Sequence, residues 1–320
     1  MQRRAFLVAT TLFMLPVSAV ASNRRIGFIS SSTTDLNSPF LAALRKGLLA
    51  LGYEEGQNLE IDYRFAHSRD ELPEMAAQLV AKQVELILAA GSEGIVAARE
   101  ATKTIPIVMT NSGDAVREGF AVSLRSPGGN ITGMTQLSPE LAGKRLEMLR
   151  EIFTDLTRVG ILWNPDHPNT PITFQEAKAA TEKLHLQPVS IEIRTTEDIQ
   201  KGLTKAGEQN IRAFLVIRDP FTVRNRVAIV RTLHALHMLA IFETSDFVEA
   251  GGLMYYGADF EDLFRQSATY VDKVLKGAKP ADLPIQQPSK FLLVVNQKVA
   301  AERGIKIPET LLVRADRLIE

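Results

Sequence analysis

Residues 126–135 read SPGGNITGMT, between two apolar runs and just ahead of an amphipathic pattern. Gly128, Gly129 and Gly133 allow three readings: a phosphate cradle, a turn, or a hinge. Context removes the first. No G-K-[ST] follows these glycines, and Gly143-Lys144 sits inside the amphipathic pattern with Arg145 after it. A dinucleotide fingerprint needs G-x-G-x-x-G between the first strand and first helix, where SSSTTDLNSP holds no glycine. What remains is a turn and a crossing strand, at which the chain swings between two units.

Both sides of this stretch alternate in the same way. Upstream, RIGFIS (25–30), NLEIDYRFA (58–66), VELILAAG (84–91) and IPIVMTNS (105–112) are apolar runs separated by helical patterns. The first helical pattern, SPFLAALRKGLLALG, puts Leu41, Leu44, Leu48 and Leu51 on one face and Gly52 at the stop position. The second puts Leu72, Met75, Ala76, Leu79 and Val80 inward. Downstream, Ser138-Pro139-Glu140 reads as a helix start, with Ala142, Leu146, Leu149 and Phe153 on one face. RVGILWNP (158–165), QPVSIEIR (187–194), IRAFLVIRDP (211–220) and MLAIFETS (238–245) then repeat the alternation. Continuous apolar strands interleaved with helices mean parallel sheets covered on both faces. Two successive units of this kind predict an α/β protein with two similar lobes. The tail from Gly251 adds a long helix (262–277), a Pro-rich link, and a strand and helix over 291–304.

A length of 320 residues suits two domains, and 45% apolar with 23% charged residues is ordinary for a globular protein. Lys plus Arg and Asp plus Glu are equal at 37 each, so no global field points to nucleic acid or an anionic membrane. The N-terminus reads separately. MQRR is a basic start, AFLVATTLFMLPVSAV an apolar run broken by Pro16, and Ala19-Val20-Ala21 a small-x-small ending. That is the layout of a signal peptide over residues 1–21, shorter than a spanning helix needs. Arg3, Arg4, Phe6 and Leu7 also match the twin-arginine pattern R-R-x-F-L, an alternative export route. The chain has no cysteine, so a lipid anchor through an N-terminal cysteine is excluded, and a free periplasmic location is expected.

Several longer segments carry a resemblance. They are IPIVMTNSGDAV, SLRSPGGNITGMTQLSPELAGKRLEMLREIFTDLTRVGILWNP, FVEAGGLMYYGADFEDLFRQSATYVDKVLKGAKPADLPIQQPSKFLLVVN and GIKIPETLLVRAD. Together they resemble the periplasmic substrate-binding proteins of ABC importers, in the branch with tryptophan- and tyrosine-type binding proteins. The resemblance implies the type I periplasmic binding fold: two Rossmann-like lobes with parallel sheets, joined by a three-segment hinge around a ligand cleft. Carried onto this chain, the crossings fall near Gly133–Thr135, Met254–Gly257 and Gln287–Val294, with Gly133, Thr135, Tyr255 and Gly257 as hinge residues. The N-terminal lobe would then comprise 22–134 and 258–286, and the C-terminal lobe 135–257 and 287–320. Implied partners are a small ligand and the permease and ATPase subunits of an importer. No cofactor, metal or nucleic acid is implied, and a monomer is expected. One departure is visible: many relatives read Asp-Pro-Val where this chain has Asp114-Ala115-Val116.

The position of a site also follows from the fold class alone. Ligands of open α/β sheets bind beyond the carboxyl ends of the strands, where helix N-termini present free N–H groups. That selects Ser31 and Ser32, Gly91 and Ser92, and Asn111 to Asp114 in the first unit. In the second it selects Asn164, Arg218 with Asp219, and Glu243. Ser92 reads as a carboxylate site or as a plain N-cap serine. Asp114 or Glu243 would answer a ligand ammonium group, or else sit as loop carboxylates in water. Trp163 and Tyr256 read as stacking platforms or as core, with core favoured for Trp163. Ser92 with Asp114 is the expected polar anchor, and Arg218 with Glu243 the second choice.

An enzyme would need a nucleophile, an acid–base pair or a metal cluster. His234 and His237 stand at i, i+3 on a helical pattern without a carboxylate at helical spacing, and His67, His167 and His185 are scattered. There is no G-x-S-x-G, H-E-x-x-H or cysteine nucleophile. A binding protein is therefore expected, with an exported hydrolase-like α/β enzyme as the alternative. A repressor's sensing domain fits less well, because an export signal stands where DNA-binding helices belong.

Overall fold

The structure, a computed structural model, describes residues 23–30, 36–136, 141–167 and 169–320. Residues 1–21, Ser31, Ser32 and the expected helix start Ser138-Pro139-Glu140 lie outside the described residues.

The first sheet holds β1 (Arg24–Ser30), β2 (Leu59–Phe65), β3 (Ile87–Ala90), β4 (Ile107–Asn111) and β5 (Ile131–Gly133). Between its strands run α1 (Pro39–Ala50), α2 (Leu72–Ala81) and α3 (Ser92–Ala101). The order is β2-β1-β3-β4-β5, and every described pairing is parallel. β1, β3 and β4 are buried almost throughout, as their unbroken apolar runs require when helices cover both faces. Leu41, Leu44 and Leu48 of α1 face this core. Leu51 does not: it is the C-cap of α1 and largely exposed, and Gly52 follows at φ +88°. On α2 the buried face is Leu72, Ala76 and Leu79, with Met75 and Val80 packed at its margin.

After α4 (Ala142–Ile152) the second sheet is laid down. Its strands are β6 (Arg158–Trp163), β7 (Gln187–Glu192), β8 (Ala213–Val216), β9 (Leu239–Phe242), β10 (Met254–Ala258), β11 (Phe291–Asn296) and β12 (Arg317–Ile319). The helices are α5 (Thr170–Lys183), α6 (Thr196–Glu208), α7 (Pro220–Arg224), α8 (Arg226–Ala235), α9 (Ser245–Glu249), α10 (Phe260–Leu275), α11 (Gln297–Glu302) and α12 (Glu309–Arg314). The order is β12-β11-β10-β9-β8-β6-β7. Only β10 and β11 pair antiparallel among the described ladders, a departure from an all-parallel expectation. The reason is topological. β10 leads out of the second sheet, α10 packs on α1 of the first lobe, and β11 leads back in.

The opening glycine stretch lies where the two lobes join. Gly133 ends β5 at φ +123°, a conformation open to glycine and strained for any L side chain. Met134 bridges Gln286 on the returning chain, and Thr135 N–H donates to the Gln286 carbonyl at 2.9 Å, so two crossings run side by side. The Thr135 hydroxyl accepts from Ser112 Oγ at 3.0 Å and donates to the Gly113 carbonyl, which ties the first crossing to the loop after β4. Tyr255 and Gly257 lie within β10 itself, Tyr255 buried in the core of the second lobe. The chain leaves that sheet only after Ala258.

Candidate functional site

The carboxyl ends of both sheets face one cleft, whose enclosed cavity measures about 260 Å³. That is a small-solute volume, just below the ~300–1,000 Å³ common for ligand pockets. Gly91, Ser92, Asn111 and Asp114 line it from the first lobe, and Arg218, Asp219 and Glu243 from the second. Asn164 and Tyr256 do not. Asn164 Nδ2 donates to Asp219 Oδ2 at 2.7 Å, behind the cavity wall. Tyr256 packs half-buried against the core and the Phe291 ring, so it offers the cleft no platform. Trp163 is core, stacked on Phe174 with centroids 4.4 Å apart and its Nε1 donating to Ser190 Oγ at 2.9 Å.

Three of the lining carboxylates, Asp114, Asp219 and Glu243, are held by the protein. Asp219 caps α7: its Oδ1 accepts from Thr222 N–H at 2.8 Å while Asn164 holds the other oxygen. Asp114 Oδ1 accepts from the N–H groups of Val116 and Arg117 at 3.0 and 3.1 Å, and Oδ2 pairs with Arg117 Nε at 3.3 Å. Glu243 is neither a water-exposed loop carboxylate nor a free ammonium anchor. Its Oε1 meets Arg145 Nη1 at 2.8 Å, its Oε2 accepts from Arg218 N–H at 3.2 Å, and it is buried. Arg145 also donates from Nε to the Tyr256 carbonyl at 2.7 Å. Burial lowers the Arg145 pKa from its ordinary value, with Glu243 and Tyr256 opposing. Gly257 makes room for this arrangement, because a Cβ there would collide with the Glu243 carbonyl oxygen.

Arg218 and Glu118 stand differently. The Arg218 guanidinium lies over the Phe260 ring, 5.1 Å from its centroid, with its buried Nε lacking a hydrogen-bond partner among the described residues. Glu118, in the turn after β4, lines the cavity with both carboxylate oxygens shut off from solvent and without a partner in hydrogen-bond geometry. Burial raises the Glu118 pKa from its ordinary value, against Ser92, Asn169 and the Gly113 backbone, which stand round the carboxylate and pull it down.

The lobes touch across the cleft. Asn169 Nδ2 donates to Ser92 Oγ at 2.6 Å, Arg117 pairs with Glu176, and His167 Nε2 stands 3.9 Å from Glu93 Oε1. Ser92 is thus the first helical residue of α3, with Gly91 as N-cap at φ +78°, and its hydroxyl serves an interlobe bond. The same cavity has an apolar part to its lining: Phe40, Phe260 and Phe264, with centroids 5.6 to 5.9 Å from Phe40 to the other two. Sequence reasoning missed those rings, as it missed Glu118, Asn169 and Arg145. Phe40 carried a usable signal, an aromatic in the first turn of a helix at a strand's carboxyl end. So did Arg145, a lone charge between Ala142 and Leu149 on the apolar face of α4. His234 and His237 do not share a helix, since α8 ends at Ala235 and His237 sits at φ +55°. No group of three or more His, Cys, Asp or Glu poised for a metal occurs among the described residues.

Two α/β lobes, three connections and a polar-aromatic cleft between strand carboxyl ends define a two-lobed solute-binding protein. The chain belongs to the family described as ABC transporter substrate binding protein, whose profile matches residues 35–319. It is 26% identical over 267 residues to the tyrosine-binding protein of Clostridioides difficile (strain R20291), covering 81% of this chain and 76% of that one. Its fold superposes with a TM-score of 0.87 on an ABC domain from Streptococcus pneumonia in complex with L-Trp, 27% identical, covering 93% of this chain and all of the other. A conserved domain protein from Vibrio cholerae O1 biovar El Tor gives 0.85 at 27% identity, over 93% of this chain and 100% of that one. The family and its tyrosine-binding relative are substrate-binding proteins and not enzymes, which removes the hydrolase alternative.

Proposed function

We propose that this protein captures an amino acid, foremost an aromatic one, between its lobes and hands it to the permease and ATPase of an ABC importer. The observation that carries the reading is the cleft itself. Phe40, Phe260 and Phe264 share a cavity of about 260 Å³ with polar groups at the N-terminal end of α3. An aromatic side chain buries against such rings, and charged backbone groups meet the polar groups. The relatives bound to tyrosine by name and to L-Trp by structure support the same class.

The protein acts as a monomer in the periplasm, exported by removal of residues 1–21, with lobes of 22–134 plus 258–286 and 135–257 plus 287–320. Closure on ligand bends the crossings near Gly133–Thr135, after β10 and near Gln286. N-terminal sequencing of protein released by osmotic shock tests the export reading and should begin at Ser22. The ligand is tested by thermal melting against the twenty amino acids and a set of aromatic carboxylates. A hundredfold excess over Kd adds about 2.7 kcal/mol, a rise of several degrees in Tm. A panel that leaves Tm unmoved for every amino acid defeats the proposal.

A further inference from the structure

We propose that closure of the lobes takes up a proton at Glu118, which links solute binding to pH. This rests on the reading above that the lobes close on a solute, and adds a condition that tunes the closing. Glu118 belongs to the first lobe, in the stretch between β4 and β5, and its carboxylate lies at the seam between the lobes. On its own side it packs against Gly113, where a Cβ would collide with Oε1, and against Ser92 at the start of α3. The cover from the other side is Asn169, the N-cap residue of α5 in the second lobe, whose Nδ2 donates to Ser92 Oγ at 2.6 Å. With that bridge in place both Glu118 oxygens are shut off from solvent, and neither has a partner in hydrogen-bond geometry.

The charged groups round the seam are committed elsewhere. In the same stretch of chain are Asp114 and Arg117, and Arg117 pairs with Asp114 at 3.3 Å and with Glu176 of α5. From α3 come Glu93, 3.9 Å from His167 Nε2 of the second lobe, and Arg99, which donates to the Gly119 carbonyl at 3.2 Å. Glu176 Oε2, from the second lobe, is itself buried without a hydrogen-bond partner. An ionised carboxylate buried without a matched donor costs free energy, and protonation removes the cost. Burial is accordingly the main cause that raises the Glu118 pKa; Ser92, Asn169 and the Gly113 backbone pull against it, and Asp114 adds to it. Opening carries Asn169 and α5 away with the second lobe and returns the carboxylate to water, where it ionises near its ordinary value. A group with a higher pKa closed than open gains protons on closing. Binding therefore strengthens as pH falls through the closed-state pKa and levels off below the open-state one. His167, whose pKa burial brings down to about 4, works in the other direction, so comparison with a Glu118 variant isolates the carboxylate.

The test is titration calorimetry with L-tryptophan and L-tyrosine on wild type, Glu118→Gln and Asn169→Ala, from pH 7.5 down to 5. Repeating each titration in buffers of different ionisation enthalpy counts the protons taken up with the solute. Wild type should take up more protons than Glu118→Gln, by up to about one per solute. Its affinity should gain on that variant's as pH falls, by up to about tenfold per pH unit. Glu118→Gln copies the protonated side chain, so at pH 7.5 it should bind at least as tightly as wild type. Asn169→Ala uncovers the carboxylate, and should bind more weakly with the extra proton uptake reduced. Equal proton counts and parallel pH profiles in wild type and Glu118→Gln overturn the inference while the amino-acid reading stands. So does a Glu118→Gln that binds more weakly by one factor at every pH, as a damaged fold would. If neither amino acid binds wild type, that reading falls and this one with it.

Discussion

Arg145 Nη1 and Glu243 Oε1 meet at 2.8 Å with side chains only 1% and 5% exposed, joining α4 to the residue that follows β9 in the cleft lining. Because Arg145 also holds the Tyr256 carbonyl of β10, one guanidinium fixes two strands of the second sheet. A buried pair of this kind adds little net stability over apolar groups, but removing one partner strands the other charge. Arg145→Met should therefore cost about 3–5 kcal/mol in urea unfolding, and Arg145→Met with Glu243→Leu should recover a substantial part of it. A single variant as stable as the double would show that Glu243 finds other partners once Arg145 is gone.

The glycines of SPGGNITGMT divide by their surroundings, and a graded series of alanine substitutions should expose the division. At Gly133, φ is +123° and a Cβ would stand 2.6 Å from Met109 N and closer still to its carbonyl oxygen. At Gly128, φ is +80° but the nearest atom is Val122 Cγ2 at 3.4 Å, and at Gly129 nothing lies within 4 Å. Gly133→Ala should cost on the order of 2–4 kcal/mol, Gly128→Ala about 1 kcal/mol, and Gly129→Ala within about 0.5 kcal/mol. Equal costs across the three would mean that the crossing relaxes around a side chain at Gly133.

Strand–helix alternation made the two-lobed α/β architecture legible, because period and apolar continuity are local properties of the chain. The loops at the strand ends were legible too: Gly91, Ser92, Asn111, Asp114, Arg218, Asp219 and Glu243 do line one cavity. Which of them remain free was not legible. Asn164 and Asp219 are 55 residues apart in sequence and Arg145 and Glu243 are 98 apart, yet each pair satisfies its own charge or dipole. Side-chain pairing at that separation depends on the assembled fold. Phe260 and Phe264 escaped for a related reason, since α10 follows the second sheet in sequence but packs in the core of the first lobe. Glu118 had no pattern of its own to mark it.

His167 gives the protein a pH dependence that can be worked out in sign. The imidazole is 8% exposed on the second lobe, beside Glu93 of the first. Burial is the main cause that brings its pKa down to about 4; Asp219 opposes the shift, while Arg218 and Arg69 reinforce it. A His depressed in this way binds fewer protons when folded than when unfolded, where its pKa is near 6.5. Its contribution is therefore whole above about pH 6.5 and is lost progressively as pH falls toward 4. The loss over that window is on the order of 2–3 kcal/mol. Glu118, whose pKa burial raises, acts in the opposite sense, since its penalty is relieved on protonation. The His167 part is thus read as a difference: urea unfolding of wild type and His167→Gln between pH 7.5 and 4. Wild type should lose more stability than the variant below pH 6.5, with the curves parallel above it. Parallel curves down to pH 4 would mean that His167 keeps an ordinary pKa, because its cavity admits water or because protonated His167 closes onto Glu93 and recovers the charge.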